Sequence, residues 1–254
     1  MGFRYYSLKL TAVLLAAAWL ASPAPADDAI EPRTKAGEEK AAEEDRGGGF
    51  QWGPTLKQSL FFLGVQHAFR FTTEPGTRAE LRGPFFKDYL LSLKGLHGWE
   101  DSDPMLVNYI GHPFMGAVTG YIQVQNDPGY RKARFGGSEL YWKSRMRAFA
   151  YSAAYSTMFE LGPVSEASLG NVGKDGLTMG YVDIVMTPVG GLTFMVIEDA
   201  LDRYVIERIE RATRNRYLKT LARTFLNPNR TFANTMRLKQ PWYRDNRGGL
   251  WRQQ

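Results

Sequence analysis

Residues 103–125, DPMLVNYIGHPFMGAVTGYIQVQ, decide the fold class. Asp103 before Pro104 is a helix start: an Asp side chain accepts from the first-turn N–H groups, and proline at the first helical position has no N–H to leave unpaired. The apolar residues that follow do not alternate as a half-buried strand requires. Asn108, His112, Gly116 and Gly120 recur every four residues and share one helix face. The two glycines let a neighbouring helix come close, so that face presents an amide and an imidazole to a tightly packed partner. Pro113 removes the hydrogen bond to residue 109 and predicts a kink beside the histidine. The turn Asn126-Asp127-Pro128-Gly129 ends the segment.

Working outward, the pattern stays helical. Residues 56–71 are apolar nearly all round, which predicts a buried helix. Gly83-Pro84 opens a helix over 85–96. Ser138 caps another over 139–161, stopped by Gly162-Pro163, and a short segment follows between Ser165 and Gly170. Thr187-Pro188 repeats the cap-then-proline signal and predicts the longest helix, running to about Phe225 and stopped by Asn227-Pro228. Residues 181–186 are a candidate short strand. The expectation is an all-α bundle of about five or six helices over 51–228, with the Asn108/His112 helix packed against helices 139–161 and 188–225. The 254-residue chain is then one helical domain with tails.

The ends have different characters. Arg4 and Lys9 precede the apolar run 10–20, and Ala24-Pro25-Ala26 supplies small residues at a cleavage site, so residues 1–26 read as a secretory signal peptide. Eleven apolar residues fall short of the roughly 20 that span a bilayer. The expected location is therefore periplasmic or outer-membrane-associated. Residues 27–50 carry eight acids and four bases with almost no large apolar side chains, and read as a disordered linker. Residues 229–254 read as an irregular basic, aromatic tail. The chain has no cysteine, which excludes disulfides, thiolate ligands and thiol catalysis. Residues 203–254 hold thirteen Lys/Arg and three acids. On an exported protein such a basic end suits anionic lipid or an envelope protein rather than nucleic acid.

The candidate site is a His with carboxylates. His112, Glu160 and Glu198 are the candidate catalytic residues, with His112 as general base or metal ligand and the two glutamates orienting it. Glu198 follows the apolar run 194–197 and so sits near core level, where it needs a partner; His112 is available. A structural histidine satisfied by a carboxylate is the plainer reading. Asp199 and Arg203 read as a surface ion pair. Asn108, Tyr109, Ser156, Asp202, Trp242 and Arg244 are candidate binding residues. Trp242, Tyr243 and Arg244 suit either a membrane interface or packing of the tail on the bundle. His67 reads as a core histidine. No HExxH pair, phosphate loop, dinucleotide fingerprint or serine elbow occurs, so neither a metal nor a cofactor is expected.

The run 99–103 (WEDSD), then Asn108-Tyr109 and His112-Pro113 with Gly116, resembles an uncharacterised family of bacterial envelope proteins, a domain of unknown function with an NYxxHPxxG helix. Its other features correspond here to residues 152–160 ending in Glu160, to Glu166, to the DxxxTPxGG turn over 183–191, and to Glu198. The resemblance covers about residues 95–205. It implies an exported helical domain with a polar cluster and supplies no reaction. Some members carry a β-barrel region after this domain, where this chain has its basic tail.

Overall fold

The computed structural model describes residues 48–80, 83–101, 103–174 and 178–250. Residues 1–26, expected to be a signal peptide, and most of the expected linker over 27–50 lie outside the described residues. The protein is all-α, and among the described residues the sole strand-like feature is a single parallel bridge between Leu96 and Met179. The helices are α1 Trp52–Thr73, α2 Pro75–Glu80, α3 Phe85–Lys94, α4 His112–Gln125, α5 Glu139–Leu161, α6 Tyr181–Leu201, α7 Glu207–Ala212, α8 Arg216–Phe225 and α9 Pro228–Met236. Wide π-type turns over Val107–Gly111, Glu166–Gly170 and Asp202–Ile206 precede or join them. The chain forms two compact units. Of the described residues, those within 48–55, 121–144 and 195–250 form the first and those within 56–120 and 145–194 the second.

The second unit is organised around close helix contacts and a polar interior. Helix α1 reverses the expected pattern: Ser59, Gln66 and Arg70 are buried, while Leu56, Leu60 and Phe61 are exposed. The polar stripe finds partners inside, Ser59 against the Tyr151 hydroxyl at 2.7 Å and Gln66 Oε1 as acceptor from Tyr155. Phe62 stacks on Tyr155 and His67 on Phe159, with ring centroids 6.0 and 5.5 Å apart, so His67 is a core histidine. Helix α6 begins at Tyr181, seven residues before Pro188, so residues 181–186 are helix and not strand. Its first N–H groups are satisfied by the carbonyls of Gly98 and Trp99. That cap comes from a distant loop, and Thr187-Pro188 is therefore interior to the helix.

The first unit holds the C-terminal helices. The single long helix expected from 188 to 225 is divided. A wide turn follows Leu201, α7 ends at Ala212, and Asn215 opens α8 by accepting from the N–H groups of Tyr217 and Leu218. Asn227-Pro228 starts α9 with proline in its first turn, where the sequence had suggested a stop and an irregular tail. Buried Asn234 on α9 then pins the following residues, donating to the carbonyls of Pro241 and Tyr243 at 2.8 and 3.0 Å. The core here includes Tyr121, Ile122, Tyr141, Met195, Ile206 and Phe232.

Candidate functional site

The second unit brings His112 together with a group of carboxylates. Pro113 cannot donate a backbone hydrogen bond, and the helix widens just ahead of it: the His112 N–H reaches the carbonyl of Val107, five residues back. The π-type turn is how the helix accommodates the proline, and both Asn108 and His112 are buried. Helix α6 crosses α4 backbone to backbone at this level. A Cβ on Gly116 would lie 1.7 Å from the Thr187 carbonyl oxygen, and one on Gly190 would lie 2.5 Å from the Pro113 ring. Only glycines permit such proximity, and it delivers Asp183 and Thr187 to the imidazole.

His112 Nε2 lies 3.1 Å from Asp183 Oδ1. On the other side of the ring, Nδ1 lies 3.3 Å from the Thr187 hydroxyl and 4.0 Å from Glu160 Oε1. Asn108 Nδ2 donates to Asp101 Oδ1 at 2.7 Å, and the Asp103 N–H donates to the same oxygen at 2.9 Å. Ser156 donates to the Asp183 carbonyl at 3.3 Å. Arg70 pairs with Glu166 at 2.9 Å and with Glu74 at 3.0 Å. Tyr109 stays half-exposed, its hydroxyl accepting from the Trp99 indole at 3.1 Å.

Acidic groups outnumber cations here, and their protonation reflects it. Burial pushes Asp183 up to about 10, helped by its hydrogen bond and charge repulsion with Asp101. Burial, then Glu166 and Asp183, raises Glu160 well above the usual carboxylate range. Burial raises Glu166 to about 7 against the opposing Arg70. Asp103 is exposed as a residue, but desolvation of its carboxyl by the surrounding groups, with repulsion from Asp101, raises it to about 6. Burial opposes ionisation of Asp101, but hydrogen bonds from Asp183, Asn108 and the Asp103 N–H outweigh it and hold that carboxyl low. Burial takes His112 down to about 4 despite Asp101, so the imidazole is neutral. A neutral imidazole among carboxyls that share protons can accept, donate or bind a cation.

The other expected site residues have different partners. Glu198 belongs to the first unit, where it caps α9: Oε1 accepts from the Asn229 N–H at 2.8 Å and its side-chain amide at 2.9 Å, and Oε2 from the Arg230 N–H at 3.2 Å. These donors take the place of the expected His112 partner, because a buried helix N-terminus offers unpaired N–H groups and a favourable dipole. Asp199 is buried rather than in a surface pair with Arg203; it accepts from the hydroxyls of Tyr141 and Tyr121 at 3.0 and 3.2 Å and pairs with Arg230. Arg203 instead donates to the Phe135 carbonyl. Arg244 is 1% exposed and pairs with Asp202 at 3.1 Å, so this stretch packs inward and its guanidinium is no interface anchor. The Trp242 carbonyl accepts from Arg223 at 3.2 Å.

Sequence reasoning set Asp183 in a candidate strand and turn, where the structure has the first turn of α6, and passed over Asp101, Asp103, Thr187 and Arg70 as site residues. The two-residue spacing of Asp101 and Asp103 just before the Asn108 helix was the available signal. No protein-family model matches the chain, and neither a curated protein nor a solved structure matches it.

Proposed function

We propose that this chain is an exported helical protein of the cell envelope that seats on an anionic membrane surface through helix α8. The observation that carries this reading is the α8 surface. Tyr217, Leu221 and Phe225 recur every four residues and are 61%, 53% and 65% exposed, with Leu218 beside them. Arg208 and Arg211 on α7, and Arg214 and Arg216 just before and at the start of α8, are exposed as well. An apolar stripe flanked by arginines matches the interfacial plane of an anionic bilayer. Inserting four such side chains contributes roughly 4–6 kcal/mol, discounting full burial values for their partial exposure, and nearby cations add about 1 kcal/mol each. The contact is narrower than the whole basic end, because Arg223, Arg244 and Arg247 are committed to Glu210 and Asp202 within the fold.

The second unit supports the same reading. It buries Asp183, Glu160 and Arg70 while exposing Leu60, Phe61, Phe86, Leu90 and Met105, the reverse of an ordinary water-facing surface. The helical run Tyr181–Ala212 is long and apolar enough to cross a membrane by length and composition, with a mean hydropathy of 1.5 in its most apolar window. Asp183, Glu198, Asp199 and Asp202 interrupt that run, and such charges are costly at bilayer depth, so we read attachment within one leaflet rather than a span.

The full chain is expected to sediment with vesicles containing phosphatidylglycerol at low salt and to release as salt rises past the range where surface charges are screened. Leu221→Asp with Phe225→Asp is expected to reduce partitioning at least about tenfold without altering helicity, since both side chains are exposed. Absence of wild-type binding at low salt would refute the membrane reading.

One observation favours a second reading, a hydrolase or transferase acting on an envelope lipid or glycan. The buried His112 and Asp183 adjoin Asp103, which is exposed, so the cluster has an edge open to solvent. His112 would act as general base, with Glu160 and Thr187 holding its other nitrogen. His112→Gln is expected to abolish release of fatty acid from phospholipid vesicles or of reducing ends from peptidoglycan while leaving vesicle binding intact. Wild-type protein inert toward both would set this reading aside.

A further inference from the structure

We propose that Asp103, His112 and Asp183 form a binding site for one first-row divalent metal ion, with Zn2+ the best match to the donor set. The proposal is independent of how α8 meets a membrane.

The geometry comes first. One imidazole nitrogen and one carboxylate oxygen from each aspartate all lie within 4.8 Å of one another. Tetrahedral ligands at about 2.1 Å from an ion stand about 3.4 Å apart, so side-chain rotations that draw the three groups together by up to about 1.4 Å close them on it. They come from three separate segments: the turn before Pro104, the start of α4 and the first turn of α6. The α4–α6 crossing at Gly116 and Gly190 fixes two of these, and the third is the exposed Asp103, which gives an ion a path from solvent.

The unpaired atoms point the same way. Asp183 Oδ1 is only 3.1 Å from His112 Nε2, yet it receives no hydrogen bond from the ring or from any other described donor. Had the contact been a simple N–H to carboxylate bond, that oxygen would be satisfied. A further oxygen beside the cluster, Asn108 Oδ1, is buried beyond nine-tenths and also has no donor among the described residues. Buried acceptors left without donors are costly. A cation, with the waters it brings, is a species that answers several lone pairs at once.

The outer partners suit a metal-bound histidine. Such a ligand normally gives its second ring N–H to a hydroxyl, carbonyl or carboxylate, which fixes the tautomer. Here Thr187 Oγ1 stands 3.3 Å from Nδ1 with Glu160 behind it at 4.0 Å, which leaves the Nε2 lone pair on the Asp183 side. One nitrogen and two carboxylate oxygens, completed by water, is a set that favours Zn2+ over Ca2+, which takes six to eight oxygens.

The test is equilibrium dialysis and calorimetry of the full chain, stripped with chelator, against Zn2+ and separately Mn2+. One equivalent of Zn2+ is expected to bind and to raise the melting temperature. Asp103→Asn alters an exposed residue and should leave the fold intact, so its loss of Zn2+ affinity by at least about tenfold reads the site directly; Asp183→Asn and His112→Gln should lose about a hundredfold, and Thr187→Val about tenfold. His97→Gln, at an exposed histidine elsewhere, should leave affinity unchanged. Binding of no more than background Zn2+ by the wild-type chain, or equal binding by Asp103→Asn and the wild type, would overturn the proposal.

Discussion

Gly116→Ala is expected to lower the free energy of unfolding by about 3 kcal/mol or more, the upper end of what overpacking costs. The added Cβ would stand 1.7 Å from the Thr187 carbonyl oxygen and 2.6 Å from its carbon, and 3.1 Å from Ser152 Oγ. The first two contacts are backbone, so no side-chain rotation relieves them; α4 and α6 must move apart. Gly190 and Gly191 on α6 offer no slack, since a Cβ at either would meet Pro113 or the Gly116 and Ala117 backbone within 2.7 Å. Separation of the helices also withdraws Thr187 from His112 Nδ1, 3.3 Å away. The variant should therefore lose Zn2+ affinity along with stability. Gly64→Ala is the matched control: nothing lies within 4 Å of a Cβ there, and alanine is the better helix former by up to about 1 kcal/mol. Denaturant titration of both variants separates the cases, and equal midpoints for Gly116→Ala and wild type would show that the two helices do not meet as described.

The elements that were legible in the sequence are those whose signals are local. Helix α5 begins and ends where Ser138 and Gly162-Pro163 predict, with Ser138 Oγ accepting from the Tyr141 N–H at 3.3 Å. The four-residue recurrence of Asn108, His112 and Gly116 correctly implied a buried amide, a buried imidazole and a close helix crossing. What was not legible depended on partners distant in the chain. Thr187-Pro188 looks like a cap because caps are normally supplied next door, yet α6 is capped by the carbonyl groups of Gly98 and Trp99. Glu198 looked like a partner for a histidine, and it serves the first N–H groups of α9 instead. Helix α1 read as apolar all round because its polar residues were counted as interruptions. They are the buried side, matched one by one to Tyr151, Tyr155 and Glu166. Composition and periodicity report how much apolar surface a helix has, and the direction that surface faces is set by the polar partners it meets.

Asp202→Asn is expected to destabilise the first unit by about 3–5 kcal/mol at neutral pH, the usual consequence of removing one member of a buried ion pair. Asp202 is 5% exposed and holds Arg244 at 3.1 Å through one oxygen and Arg247 through the other, while Arg244 also reaches the Arg223 carbonyl at 3.0 Å. Arg223 in turn holds Glu210, which Arg247 approaches at 3.4 Å. Neutralising the aspartate takes away the carboxylate that Arg244, fully buried, and Arg247, largely buried, share. The same pair makes the fold acid-labile in a defined window. Burial raises the Asp202 pKa, but Arg244, Arg247 and Arg230 overcome it and hold the folded-state value well below the unfolded value of about 3.9. A carboxyl depressed in this way stabilises the fold fully above the unfolded pKa, and the contribution drains away as pH falls toward the folded one. Wild type should thus lose stability steeply below about pH 4. Asp202→Asn, already lacking the charge, should show a flatter profile there, so that the two curves converge in acid. Glu198 acts in a separate window: burial raises it to about 7 despite its bonds to Asn229 and Arg230, so its contribution declines as pH rises from about 4.5 toward that value. Melting temperatures measured from pH 2 to pH 8 distinguish the two groups, and parallel curves for Asp202→Asn and wild type below pH 4 would mean that Asp202 carries no buried charge in the folded protein.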